Sequence, residues 1–162
     1  MRNQQLERVA NVFVGDWTVA ITNQRWLDDN TATTTGMAKG AWLGDAFVEL
    51  RVWLDGDGDA LFGETALEQP DDLGTPAMHF VFGRSDAQDR FVALSNDERG
   101  VLRVFDLTLD ADSWMLHRAD PDFHQRLIGR VEGDRILAHP DISEDQGVTW
   151  VKDFDMTFQR TT

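Results

Sequence analysis

The chain has 162 residues, the size of one ordinary domain, and 41% of them are hydrophobic, enough to bury a core without metals or disulfides. The sequence contains no cysteine, which excludes disulfides, thiolate zinc sites and cysteine nucleophiles. The formal net charge is −14, and so acidic a surface repels phosphate backbones and anionic lipid headgroups. We therefore expect a single domain spanning 1–162, with neither a nucleic-acid nor a membrane partner.

The first residues of the chain predict a short helix and no export signal. Leu6, Val9, Ala10 and Phe13 recur at three- and four-residue spacing, which places them on one face of a helix. Residues 1–8 lack the apolar core of a signal peptide. No stretch of the sequence is long and apolar enough for a membrane-spanning helix. These features are typical of a cytoplasmic protein.

Beyond this helix, apolar residues recur at every second position, which is typical of strands with one buried face. The clearest alternating runs cover residues 47–54, 77–82, 101–109, 123–131 and 148–158. Turns rich in Asp, Asn and Gly separate the runs at short intervals, which favours a meander over βαβ units. Closing such a sheet removes its exposed edges. We therefore predict an all-β fold, an antiparallel up-and-down barrel of about eight to ten strands.

The sequence shows no recognisable metal site. Residues 55–59 resemble a calcium-binding loop, but Ala60 and Ala66 stand where the EF-hand pattern needs a glycine and an acid. A solvated hairpin loop is the simpler interpretation. The four histidines, at positions 79, 117, 124 and 139, lack the spacing of a zinc motif, although distant strands could bring them together. These patterns predict no metal and no cofactor.

Gly15-Asp16-Trp17 opens the first expected strand directly after the short helix. This motif resembles the Gly-x-Trp signature of lipocalins and other members of the calycin superfamily. The resemblance implies a barrel whose floor is closed by Trp17 under an arginine from the last strand, which here is Arg160. An arginine plane stacks favourably on an indole face, so the pairing is physically sound.

The C-terminal half carries a second, longer resemblance. The residues that carry it are 99–107, 112–114, 123–126, 143–145 and 149–155. Their order is similar to that of a widespread group of uncharacterised bacterial lipocalin-like proteins. The resemblance implies the barrel fold but no particular reaction, because the group has no established activity. Where the group has a histidine between Trp150 and Phe154, this chain has Lys152.

Nitrobindin-like haem barrels share the Gly-x-Trp opening, and this more distant resemblance implies haem as an alternative cofactor. A single histidine could bind the haem iron axially. His79 and His124 lie opposite apolar strand faces and are expected outside, whereas the alternation leaves the face of His117 undecided.

Lys152 is the most interesting candidate for chemistry. The run 148–158 places it on the same face as Trp150, Phe154 and Met156. Inside an apolar barrel its amine would lose charge, and it could act as a nucleophile or pair with an anionic ligand. The alternative is a position near the barrel rim, from which the side chain reaches water.

Other polar and aromatic side chains could contact a ligand in the lumen. Gln125 shares a face with Phe123 and Leu127, and could offer its amide to a ligand or pair with a buried neighbour. The six tryptophans either fill a solid core or line a cavity, and the mid-strand ones are the best candidates for a cavity. The predicted ligand-binding set is Trp53, Arg103, His117, Gln125, Trp150 and Lys152.

Fold analogy and aromatic content favour a protein that binds a small hydrophobic or amphipathic molecule inside the barrel. One alternative is an enzyme, such as an isomerase, cyclase or hydrolase, that uses the same cavity. Another is a structural module that forms a homodimer through a sheet face. No nucleophile–base pair, Gly-x-Ser-x-Gly elbow or phosphate-binding glycine loop is visible, so no catalytic residue is assigned.

Overall fold

Residues 1–28, 31–55 and 75–161 are described by the computed structural model. A 3-10 turn at Gln4–Leu6 leads into helix α1, Glu7–Phe13, which confirms the predicted N-terminal helix. The strands are β1 (Gly15–Thr22), β2 (Thr34–Leu43), β3 (Phe47–Leu54), β4 (Met78–Ser85), β5 (Arg90–Asp97), β6 (Leu102–Leu109), β7 (Ser113–Ala119), β8 (His124–Glu132), β9 (Arg135–Ser143), β10 (Val151–Lys152) and β11 (Asp155–Arg160). No helix in the described ranges is long and apolar enough to cross a bilayer.

The strands pair in chain order, and every pairing between them is antiparallel. β11 lies between β9 and β1, and β8 pairs with β9 along its length, so the sheet closes on itself. Among the described residues, ten strands form the closed barrel, and the short β10 extends the β11 side of β9. The predicted antiparallel up-and-down barrel is confirmed.

Alternation along each strand decides which side chains enter the barrel. In β3, Val48, Leu50 and Val52 are buried, whereas the intervening Glu49 and Arg51 are on the outer face. The same rule applies around the barrel, and the inward side chains of ten strands meet in one apolar core. Burial of this interior, and not the intrinsic preference of any strand, is the main source of stability.

Helix α1 closes one end of the barrel. Its apolar face is fully buried, and the Phe13 ring stacks on Phe82 with 4.6 Å between centroids. The Phe13 ring also meets the edge of Trp114 at 5.1 Å. A Cβ added to Gly40 of β2 would lie 1.8 Å from the Phe13 carbonyl oxygen, so only glycine lets the helix approach this closely. This end of the barrel is therefore packed solid.

The run 148–158 is not the single strand that its alternation predicts. It breaks at Asp153 and Phe154, between β10 and β11. The break has a physical cause, because the Asp153 N–H donates to the Pro140 carbonyl oxygen at 2.9 Å and the Asp153 carbonyl oxygen accepts from the Arg25 N–H at 2.9 Å. Phe154 is buried after the break, whereas Lys152 before it is exposed. The predicted common face for these two residues is wrong.

The hairpin loop predicted at 55–59 lies outside the described residues except for Asp55. The Asp55 N–H donates to the Thr35 carbonyl oxygen at 2.8 Å, and its carboxylate accepts from the Thr35 hydroxyl at 2.8 Å. This residue therefore continues the pairing of β2 with β3.

Candidate functional site

The barrel encloses a cavity of about 310 Å³ at the end opposite helix α1. The strand register fixes this position, since Phe82 pairs with Ala93 near the helix and Met78 pairs with Asp97 at the far end. The lower wall is apolar and includes Phe80, Phe105, Leu116, Leu127 and Met156. A void of about 20 Å³ continues below it, among the rings that pack under the helix. The barrel is therefore hollow at one end and solid at the other.

Two aromatic residues from outside the barrel strands narrow the mouth of the cavity. Trp26 follows β1, and Phe154 stands at the break between β10 and β11. Their rings meet edge to face with centroids 5.7 Å apart. The Arg25–Asp153 backbone hydrogen bond described above holds these two segments together, so the strand break serves to bring the aromatic pair over the opening.

Polar side chains face the upper part of the cavity. Ser95 and Asp97 come from β5, Arg103 from the start of β6 and Gln125 from the start of β8. Each lies on the inward face, because each alternates with outward neighbours in its strand. An apolar wall under a ring of a few polar groups is the usual composition of a small-molecule pocket.

Arg103 is the cation among these polar side chains. Its guanidinium lies 5.5 Å from the centre of the Phe123 ring, within cation–π distance. Among the described residues, it has no hydrogen bond and no ion pair. Burial lowers the pKa of Arg103, and the positive charges of Arg118 and Arg99 lower it further, whereas Asp97 and Asp122 raise it. The guanidinium is therefore half-buried among charges of both signs, without an ion pair of its own.

Arg118 presents the opposite case, since its guanidinium is buried but fully paired. Its Nε donates to Asp120 at 2.6 Å, and its Nη2 donates to Asp122 at 2.9 Å. Its Nη1 contacts the Phe123 carbonyl oxygen and the Gln125 Oε1, both at 3.4 Å. The hydrogen bond from the Phe123 N–H, together with the charge of Arg118, lowers the pKa of Asp122. Arg118 thus stabilises the β7–β8 turn and has little capacity left for a ligand.

The carboxylates around the cavity also have arginine partners. Asp97 pairs with Arg99 at 2.6 Å, Asp141 with Arg126 at 2.7 Å and Asp153 with Arg25 at 2.8 Å. Asp141 and Arg126 project from the outer faces of β9 and β8, as the alternation with the inward Gln125, Leu127 and Pro140 requires. Their charges are therefore satisfied outside the lumen.

The structure brings two of the predicted ligand-binding residues, Arg103 and Gln125, to the cavity. Trp53 lies on the outer face of β3, next to the buried Val52. His117 lies on the outer face of β7, between the buried Leu116 and Arg118. These two positions are away from the lumen, because neighbouring residues of a strand point to opposite sides of the sheet.

Trp150 and Lys152 are likewise outside the barrel, which corrects their predicted interior position. The Trp150 ring lies 4.1 Å from the guanidinium carbon of Arg126 on the outer face, and its centroid is 6.3 Å from that of His117. The Lys152 amine donates to both carboxylate oxygens of Asp155 at 2.8 Å, and its side chain is 47% exposed. Lys152 is thus a surface cation whose side chain reaches water, in agreement with the alternative position near the barrel rim. An enzyme mechanism that uses Lys152 inside the barrel has no support from this structure.

The expected contact at the barrel floor is present. The Arg160 guanidinium carbon lies 4.1 Å from the centre of the Trp17 ring, and the two residues are paired across β1 and β11. The Trp17 indole N–H donates to the Phe13 carbonyl oxygen at 3.1 Å. The pair joins the first strand, the last strand and the helix at the closed end.

Some features of the site could not be predicted from local sequence patterns. Trp26 lies beyond the end of β1, and Phe154 reaches the mouth at a strand break that depends on distant hydrogen bonds. The inward direction of Asp97 could not be predicted, because it depends on the pairing of Asp97 with Met78. Phe105 could have been found, because it shares a strand face with Arg103.

The residues around the cavity do not fit a haem whose iron is bound by histidine. All four histidines lie in described segments, and none of them lines the cavity. His79 is hydrogen-bonded at 3.3 Å to both Glu49 and Asn96 on the outer face. The described residues also contain no cluster of three or more groups able to hold a metal ion.

Comparison with known proteins shows the fold alone. No family model and no curated protein matches the chain. Among solved structures, it is similar to Rv2717c from M. tuberculosis, with 10% sequence identity and a TM-score of 0.61 over 100% of both chains. The fold is therefore shared with a structure whose sequence is only 10% identical.

Proposed function

We propose that this chain is a calycin-type barrel that binds a small amphipathic molecule in its interior. The observation that carries the proposal is the cavity, in which an apolar wall lies beneath a ring of polar side chains. A ligand with an apolar body and a polar end would match this division.

The size of the cavity limits the ligand. A volume of about 310 Å³ stands at the lower end of the range for small-molecule sites, roughly 300–1,000 Å³. The solid packing of Phe13, Phe82 and Trp114 prevents a longer molecule from extending to the helix end. The expected ligand is therefore compact, with a body of at most three fused rings or a short chain.

Titration with the neutral fluorophore 1-aminoanthracene tests the proposal. Its emission should rise and shift to shorter wavelength as it enters the cavity, with saturable one-to-one binding. The variant Ser95→Phe should weaken binding about tenfold or more, because an inward phenyl ring fills the upper cavity. Leu94→Phe is the matched control, since Leu94 is 42% exposed on the outer face of the same strand.

Circular dichroism and thermal unfolding of both variants would establish that each retains the barrel. Wild-type protein that shows no saturable binding would overturn the proposal. Equal loss of affinity in the two folded variants would place the probe outside the barrel and would also contradict it.

A further inference from the structure

We propose that the ligand carries a carboxylate, and that Arg103 binds this group with help from the Gln125 amide. This inference rests on the proposed function, because it assigns a chemical class to the molecule that occupies the cavity. It depends on how charges and hydrogen bonds are distributed among the described residues at the cavity mouth.

Arg103 is the cation at the cavity mouth that has no ion-pair partner among the described residues. Each carboxylate along the cavity has another arginine as its partner at 2.6–2.8 Å, as described above. The buried Arg118 is held by two aspartates of its own turn. Within the described ranges, Arg103 is the arginine lining the cavity that has no such partner. A desolvated charge without a partner is costly, and an anionic ligand would remove that cost.

The surroundings of Arg103 favour an anion over a cation or a neutral group. Burial is the largest cause of the lowered pKa of Arg103, and the charges of Arg118 and Arg99 add to it against the opposite effect of Asp97 and Asp122. The charges of Arg99 and Arg118 are already paired with aspartates, whereas Arg103 has no ion pair among the described residues. An anionic group that enters the mouth would therefore meet local attraction.

Gln125 adds a second donor directed to the same space. Its Oε1 accepts a hydrogen bond from Arg118 Nη1 at 3.4 Å, which assigns the oxygen of the amide to the arginine side. The Nε2 group is then left with two N–H donors for the cavity. A ligand at this position meets donors from both Arg103 and Gln125, so it must supply acceptors.

The geometry favours a carboxylate over a phosphate. A single guanidinium presents a planar fork that matches the two oxygens of a carboxylate. A phosphate dianion would need further cationic partners, and the other arginines at the mouth are already paired with aspartates. Phe123, which packs against Arg103 at 5.5 Å, restricts where the fork can point.

Calorimetric titration with 2-naphthaleneacetate and its neutral isostere 2-naphthaleneacetamide tests this assignment. Wild-type protein should bind the acid about tenfold or more tightly than the amide, since a hydrogen-bonded charge pair typically contributes at least that factor. Arg103→Met should remove the preference and leave the affinity for the amide unchanged. Arg103→Lys should retain part of the preference, because it keeps the charge and loses the fork.

Arg90→Met is the matched control for loss of a positive charge. Arg90 is exposed and pairs with Asp106 at 2.7 Å, and it stands at the opposite end of β5 from Asp97. This variant should preserve the preference for the acid. Loss of the preference in Arg90→Met would show that net charge, and not Arg103, determines it.

Equal affinity of wild-type protein for the acid and the amide would overturn the assignment of a carboxylate. So would failure of the acid to bind a protein that takes up 1-aminoanthracene. Both results leave the binding function intact, because that function is tested by the uptake of 1-aminoanthracene, whose absence would contradict it. Tighter binding of 2-naphthyl phosphate than of the acid would replace the carboxylate with a phosphate and would also overturn the assignment.

Discussion

Arg160 and Trp17 form a cation–π contact at 4.1 Å that joins the last strand of the barrel to the first. The same guanidinium donates a 2.8 Å hydrogen bond to the Val14 carbonyl oxygen, at the junction between α1 and β1. Gly15 makes room for it, since an added Cβ would lie 2.2 Å from Arg160 Nη1, and its φ of 145° favours glycine. The contact therefore connects strand closure with the position of the helix.

Replacing Arg160 with methionine should destabilise the barrel by about 1–3 kcal/mol, because it removes the stacking and leaves the Val14 carbonyl without its donor. Urea unfolding monitored by tryptophan fluorescence measures the change. Arg130→Met is the control, since Arg130 is 66% exposed and its ion pairs are 3.8 and 4.0 Å long. Its effect should stay below about 0.5 kcal/mol, and equal effects of the two variants would contradict the role of Arg160.

Gly129 of β8 should not tolerate alanine. Its Cβ would lie 2.1 Å from the Trp114 ring, which is buried and packs on Phe13. Moving that ring disturbs the solid end of the barrel, so Gly129→Ala should cost about 1–3 kcal/mol of unfolding free energy. Gly83→Ala is the comparison, because its Cβ would meet the exposed Phe47 ring at 3.2 Å, which can move into solvent. A milder effect at Gly129 than at Gly83 would show that Trp114 is not held rigidly.

The loop after β9 should make stability depend on pH through Asp145. Hydrogen bonds from the Thr149 hydroxyl and N–H, and from the Ser143 hydroxyl, lower the pKa of Asp145 from 3.8 to about 2. The stability contributed by the ionised carboxylate is therefore fully present above pH 3.8 and is lost as the pH falls towards 2. Asp145→Asn should be less stable than wild type at pH 5, and the difference should shrink towards pH 2.

Urea unfolding of both proteins at intervals from pH 5 to pH 2 measures this convergence. Asp110→Asn, at an exposed turn, serves as the control and should follow wild type throughout. A constant difference between Asp145→Asn and wild type across this range would mean that the ionised carboxylate is not what the loop requires.

Lys152→Met should leave ligand binding unchanged. The amine is bound to Asp155 on the surface, and no part of Lys152 lines the cavity. The dissociation constant for 1-aminoanthracene should therefore agree with wild type within about twofold. A loss of affinity of about tenfold would mean that Lys152 reaches the interior in solution.

The barrel could be predicted from the sequence because one buried face per strand forces alternation, and alternation survives in each local run of residues. The position of Lys152 could not be predicted, because the break at Asp153 depends on hydrogen bonds to Arg25 and Pro140, which are remote in sequence. An uninterrupted two-residue period therefore gave the wrong side for Trp150 and Lys152.

In the candidate site, too, the direction of a side chain could be predicted from the sequence, whereas its ion pairing could not. Arg103 and Gln125 were recognisable as inward residues from their own strands. The special position of Arg103 was not, because it depends on which aspartates are taken by Arg99 and Arg118. Such pairing is decided by the register of neighbouring strands and by the conformation of turns, and neither is visible in the local pattern.

The five methionines provide the most direct test that a ligand enters the barrel. Met78 and Met156 line the cavity, Met37 is 49% exposed, and Met115 lies on the outer face of β7. In a titration of ¹³C-methyl-methionine protein with 1-aminoanthracene, ring currents should shift the NMR signals of Met78 and Met156 and leave those of Met1, Met37 and Met115 in place. Shifts at Met37 or Met115, with Met78 and Met156 unmoved, would contradict binding in the interior.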